Sequence, residues 1–96
     1  MDQSNIEILT SFITHLPMYV YPVSRYTIVS YVDGFEAGIR SREFSNTLDE
    51  YMKDHYGVRG SGGGWPHQVQ QLSEVWNLTW DGAFVKVADK VLTSLN

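Results

Sequence analysis

The stretch Tyr26-Thr-Ile-Val-Ser-Tyr-Val-Asp-Gly-Phe-Glu-Ala-Gly38 brings three large aromatic residues and two glycines into one helix-length segment. At helical spacing Ile28, Val32, Phe35 and Ile39 share a face, and Gly34 and Gly38 stack one turn apart beside it. A glycine inside a helix costs about 1 kcal/mol relative to alanine. Two of them call for a compensating reason, and the structural one is close approach of another backbone. The spacing therefore predicts a central helix in a compact helical domain, with a second helix crossing at Gly34. On that expectation Gly34→Leu overpacks the crossing and destabilises the fold by a few kcal/mol.

The flanking sequence reads as further helices. Ser4-Asn-Ile-Glu7 matches a capping box, and Ile6, Leu9, Ile13 and Leu16 follow as an apolar stripe, which predicts a first helix over about residues 4 to 16. Pro17 is expected to end it, and Pro22 to keep Met18-Tyr-Val-Tyr21 extended. Tyr19 to Val23 is the one place where a short strand is conceivable. Ser24 caps the second helix, which runs to about Arg40. A third follows Ser41, with Phe44, Leu48, Tyr51, Met52 and His55 on one face and Gly57 as its stop. Asp49, Glu50, Lys53 and Asp54 fall opposite, as a solvated face.

Gly57-Val-Arg-Gly-Ser-Gly-Gly-Gly64 is too glycine-rich for regular structure and reads as a mobile loop between helices. Trp65-Pro66 opens a fourth helix marked by Trp65, Val69, Leu72 and Trp76. Thr79 caps a fifth, to about Leu95, with Trp80, Phe84, Val87, Val91 and Leu95 inward and Lys86, Asp89 and Lys90 outward. No segment alternates with period two between hairpin turns. The fold class expected is all-α: one domain over residues 1–96, a compact bundle or orthogonal array of about five helices.

Composition narrows the function. With 43% hydrophobic and 14% aromatic residues the chain is too apolar for a disordered tail. The absence of cysteine removes disulfides, thiolate metal sites and cysteine nucleophiles, and suits the cytoplasm. The polar start Asp2-Gln-Ser-Asn5 does not resemble a signal peptide, and no apolar run approaches the ~18 residues of a membrane span. A net charge of -4 with seven scattered basic residues argues against nucleic acid and favours a basic partner.

Motifs for catalysis are lacking. The glycine segment does not continue as Gly-Lys-Ser/Thr, because Trp65 and Pro66 follow Gly64 and the proline removes an N–H that a phosphate loop would use. His15, His55 and His67 have no metal-ligand spacing. Glu50 and Asp54 lie four apart on one helix without the apolar enclosure that tunes an acid or base, and no nucleophile elbow occurs. No enzyme, cofactor or metal is expected. Tyr19, Tyr21 and Tyr56, at irregular or terminal positions, are candidate binding anchors.

Three landmarks stand in order: Pro17-Met-Tyr-Val20 after the first helix, Tyr31-Val-Asp-Gly-Phe35 within the second, and Gly63-Gly-Trp65 opening a later one. Together, over most of the chain, they resemble the small helical immunity proteins encoded beside bacterial polymorphic toxins, including those of contact-dependent growth inhibition systems. The resemblance implies a cytosolic antidote that binds the toxin domain of its own system, often covering a nuclease active site. It transfers no catalytic residue. Charge and periodicity nominate Asp33, Glu36, Glu43, Asp49, Glu50 and Asp54, with Tyr56, as the toxin-facing surface; Asp33 and Glu36 are expected on the exposed side of their helix. The alternatives are another protein-interaction or adaptor module and, in third place, a small enzyme or ligand sensor.

Overall fold

The computed structural model describes residues 1–96 as helices α1 (Gln3–Thr14), α2 (Leu16–Tyr19), α3 (Arg25–Ile39), α4 (Glu43–Tyr56), α5 (Gly64–Trp76) and α6 (Trp80–Leu95), with a 3-10 turn at Gly60–Gly62. There is no strand, so the chain is all-α, with six helices where the periodicity predicted about five.

The N-terminal boundary is set by Asp2 rather than Ser4. Its carboxylate accepts the Asn5 backbone N–H at 2.9 Å, which starts α1 a residue before the expected capping box. Pro17 does end α1, but it then sits in the first turn of α2, where its missing N–H costs nothing. Met18 and Tyr19 are therefore helical and not extended. The α3 start agrees with the sequence: Ser24 and Thr27 form a reciprocal capping box. Thr79 likewise caps α6 by accepting from Gly82 N–H at 3.2 Å.

The central helix is α6, which packs against α1, α3, α4 and α5. Its buried residues Ala83, Phe84, Val87, Ala88, Val91 and Leu92 cover more than one stripe, as a helix surrounded by others requires. The expectation that α3 is central is corrected. Only Ile28, Val32 and Glu36 of α3 are buried, and Gly34 and Gly38 face solvent, where an added Cβ meets nothing within 4 Å. The helix crossing expected at Gly34 does not exist. The α3 stripe instead rests on aromatic stacking: Tyr31 lies against Phe12 at 4.0 Å between centroids and continues to Phe35 at 6.5 Å.

Nineteen buried apolar residues form one continuous cluster. The radius of gyration is 12.4 Å, against about 12.5 Å for a compact domain of this length. Both describe a single core. Around Trp65 the core is aromatic, with Phe84 at 5.7 Å and Trp80 at 6.1 Å, and the Trp80 indole N–H donates to Pro66 O at 3.0 Å.

The glycine-rich segment is seated on α5. Gln68, wholly buried, donates from Nε2 to Val58 O at 3.0 Å and to Asp49 O at 3.2 Å, tying the segment to both α4 and α5. Gln71 Oε1 accepts the Gly60 N–H at 3.3 Å. Close approach explains two of the glycines: a Cβ on Gly63 would lie 2.6 Å from His67 Cβ, and one on Gly60, at φ 73°, would lie 3.0 Å from Gln68 Cγ.

Candidate functional site: the outer face of α4 and the α3–α4 corner

Two helices carry the nominated acidic residues. On α4, burial of Phe44, Ser45, Leu48 and Met52 fixes the helix rotation and turns the opposite side outward. Glu43, Glu50 and Asp54 recur at intervals of seven and four, so they form one outward row, and all three are exposed. Glu43 also lies 2.6 Å from the Met1 amino nitrogen. Asp49 is off that row, half-exposed, and holds Lys53 at 3.0 Å one turn on. An exposed pair of this kind stabilises a helix by ~0.3–0.5 kcal/mol.

Tyr56 is not an open anchor. Its ring packs edge-on to Trp76 at 5.1 Å and against Tyr51 at 6.0 Å, and Lys86 Nζ sits 4.1 Å above the same Trp76 ring. Burial, with a smaller effect of neighbouring Tyr51, raises the Tyr56 phenol above its ordinary value. Tyr31 is raised in the same sense by burial and then by Tyr19.

Glu36 contradicts its nomination outright. It is 3% exposed, and both carboxylate oxygens are occupied: Oε2 accepts the Ser45 backbone N–H at 3.0 Å and Oε1 the Ser45 hydroxyl. Ser45 is the third residue of α4, whose own preceding residue, Arg42, supplies no side-chain cap. A carboxylate from α3 therefore satisfies a free N–H in the first turn of α4 and meets the positive end of its dipole. Glu36 is a cap supplied from a distance, and it is unavailable to a partner. Asp33 is exposed as expected, but it lines the α3–α4 corner with Arg40 and Arg42, so its surroundings are of mixed sign.

Among the tyrosine anchors, Tyr19 is held by Ser11 Oγ at 2.7 Å and by edge contacts to Phe12 and Tyr31, both at 5.7 Å. Tyr21 is 91% exposed, and Met18 and Tyr26, which the sequence reading did not single out, are each 81% exposed. For Tyr26 a signal existed, since at ~100° per residue it lies about 200° around α3 from Ile28. Met18 gave none, because it was assigned to an extended segment.

No group of three or more His, Asp or Glu side chains converges to hold a metal ion, and no helix is long and apolar enough to cross a membrane. Neither a protein-family model, nor a curated protein, nor a solved structure matches the chain.

Proposed function

We propose that this protein is a bacterial immunity protein: a cytoplasmic, non-enzymatic antidote that binds and neutralises a cognate toxin domain, a nuclease, by forming a stoichiometric complex. The observation that carries the proposal is the outward row Glu43, Glu50 and Asp54 on α4 in a chain of net charge -4. Such a face attracts a basic surface, and nucleases that grip phosphate backbones are basic at their active sites. The resemblance carried by Pro17-Met-Tyr-Val20, Tyr31-Val-Asp-Gly-Phe35 and Gly63-Gly-Trp65 supports the same function. The contact surface proposed is narrower than the charge pattern alone suggested: Glu43, Glu50 and Asp54 form its charged rim with Asp49 beside them, Asp33 lies apart at the α3–α4 corner, and Glu36 and Tyr56 are removed.

Co-expression with the toxic C-terminal domain encoded next to the gene is the direct test. The expected result is rescue of growth and co-purification as a complex of fixed stoichiometry. If the two proteins do not associate, or no such neighbour exists, the immunity function is wrong. The general interaction module then takes its place, favoured by the exposed side chains of Met18, Tyr21 and Tyr26.

A further inference from the structure

The turn joining α3 to α4 encloses a cleft of about 500 Å³ lined by Asp33, Glu36, Ala37, Arg40, Ser41 and Arg42. Arg40 and Arg42 are both exposed, and neither forms a salt bridge. The carboxylates best placed to neutralise them are turned elsewhere. Glu36, one turn before Arg40, points inward onto Ser45, and Glu43, next to Arg42, faces the Met1 amino group. Asp33 lines the same cleft but forms a salt bridge with neither arginine.

Helices α3, α4 and α5 all end on a left-handed residue: Arg40 (φ 54°), Gly57 (φ 69°) and Asn77 (φ 54°). Glycine and asparagine are the residue types that adopt this conformation readily, whereas the Cβ of an arginine disfavours it. At Arg40 the left-handed turn closes α3, bringing the Ser41 N–H onto Glu36 O at 3.1 Å, and it leaves the Arg40 side chain on the wall of the cleft.

We propose that Arg40 and Arg42 bind an oxyanion in this cleft, a phosphate or carboxylate group. The two guanidinium groups supply charge-assisted donors, and the Ser41 hydroxyl, which accepts the Glu43 N–H at 3.2 Å, keeps its own proton to donate. Glu36 also lines the cleft and, with its oxygens bonded to Ser45 at the start of α4, keeps a negative charge that the arginine pair must outweigh. Asp33 opposes the anion weakly from the rim. The site does not depend on the immunity function, because its ligand is defined by the chemistry of the arginine pair.

Nuclear magnetic resonance on the whole protein tests this with inorganic phosphate and, separately, acetate as probes. The side-chain Nε–H signals of the four arginines are followed, with Arg25 and Arg59 as internal references. Saturable shifts at Arg40 and Arg42, with Arg25 and Arg59 lagging, are the expected result. Saturation by phosphate alone assigns a phosphate group, and saturation by both probes assigns any oxyanion. Arg40→Gln and Arg42→Gln should each weaken the association by about tenfold, as loss of one charge-assisted contact implies, while Asp33→Asn should tighten it. All three positions are exposed, so the amide spectrum should otherwise be unchanged. Equal, non-saturating shifts at all four arginines, or binding undiminished in both glutamine variants, would overturn the site.

Discussion

At the scale of single residues, Glu36 was assigned outward against the helical period. At ~100° per residue it lies only about 40° around α3 from buried Val32, and its carboxylate reaches across the α3–α4 turn to Ser45. Glu36→Ala should destabilise the protein by about 1–3 kcal/mol, because the Ser45 N–H and hydroxyl are left without a partner in a buried site. Urea unfolding of Glu36→Ala, Ser45→Ala and the double variant would show a coupling between the two side chains, strictly additive losses would refute the hydroxyl contact, and an unchanged midpoint in Glu36→Ala would refute the cap. The opposite outcome is expected at Gly34. With open space around it, Gly34→Ala should stabilise α3 by ~0.5–1 kcal/mol through helix propensity, in place of the overpacking loss that a helix crossing would have produced.

Two phenols make the fold sensitive to alkali. Tyr31 and Tyr56 are raised in the folded state, so burial favours their neutral forms. Their contribution is fully present below the ordinary tyrosine value near 10. It is lost as pH rises through the folded-state values, since the unfolded chain ionises first. Ultraviolet titration should resolve a late fraction of the six tyrosines, and stability should fall over the same range. A Tyr31→Phe and Tyr56→Phe double variant that kept the late fraction would place it elsewhere.

At the scale of elements, what the sequence disclosed depended on whether the signal was local. The starts of α3 and α6 were legible because Ser24 and Thr79 each act within three residues, and Gly57 was legible as the stop of α4 for the same reason. The α1 boundary slipped because Asp2 and Ser4 are both competent caps and only the tertiary fold chooses between them. The rank of the helices was not legible. Aromatic residues and paired glycines marked α3 as central, while the wider buried surface of α6 lay in Ala83, Ala88 and Leu92, outside the stripe read from its period. The glycine segment, expected as a mobile loop without regular structure, forms a 3-10 turn at Gly60–Gly62 and enters α5 at Gly64, and its attachment rests on Gln68 and Gln71, polar residues with no motif. Gln68→Ala should therefore free Val58 O and loosen the segment, cost a few kcal/mol as a buried cavity with a lost hydrogen bond, and raise amide exchange over residues 57–64 ahead of the helices. Uniform exchange across the chain would show that the segment is not held by this side chain.

At the scale of the whole molecule, the candidate site was half legible. The outward direction of Glu43, Glu50 and Asp54 follows from the apolar stripe of α4, whereas the diversion of Glu36 and the packing of Tyr56 on Trp76 needed contacts between elements distant in sequence. If α4 steers a basic toxin, the effect must reside in charges that are both exposed and uncommitted, and Glu50 and Asp54 meet that condition. Reversing both to lysine should slow association with the toxin domain by about tenfold to a hundredfold at low salt, and the difference from wild type should shrink as salt rises toward a Debye length of a few ångström. Asp49→Lys should act more weakly on the same rate, because Asp49 already faces Lys53. Dissociation should change less than association in every case, as expected for charges at the rim of a contact. Stopped-flow association over a salt series separates these effects from a folding defect, which is not expected at exposed positions off the apolar stripe. Rates equal to wild type at every salt concentration would mean that the acidic row of α4 is only solvated. A salt-independent loss confined to dissociation would instead place Glu50 and Asp54 in the buried centre of the interface, and the steering role would be wrong.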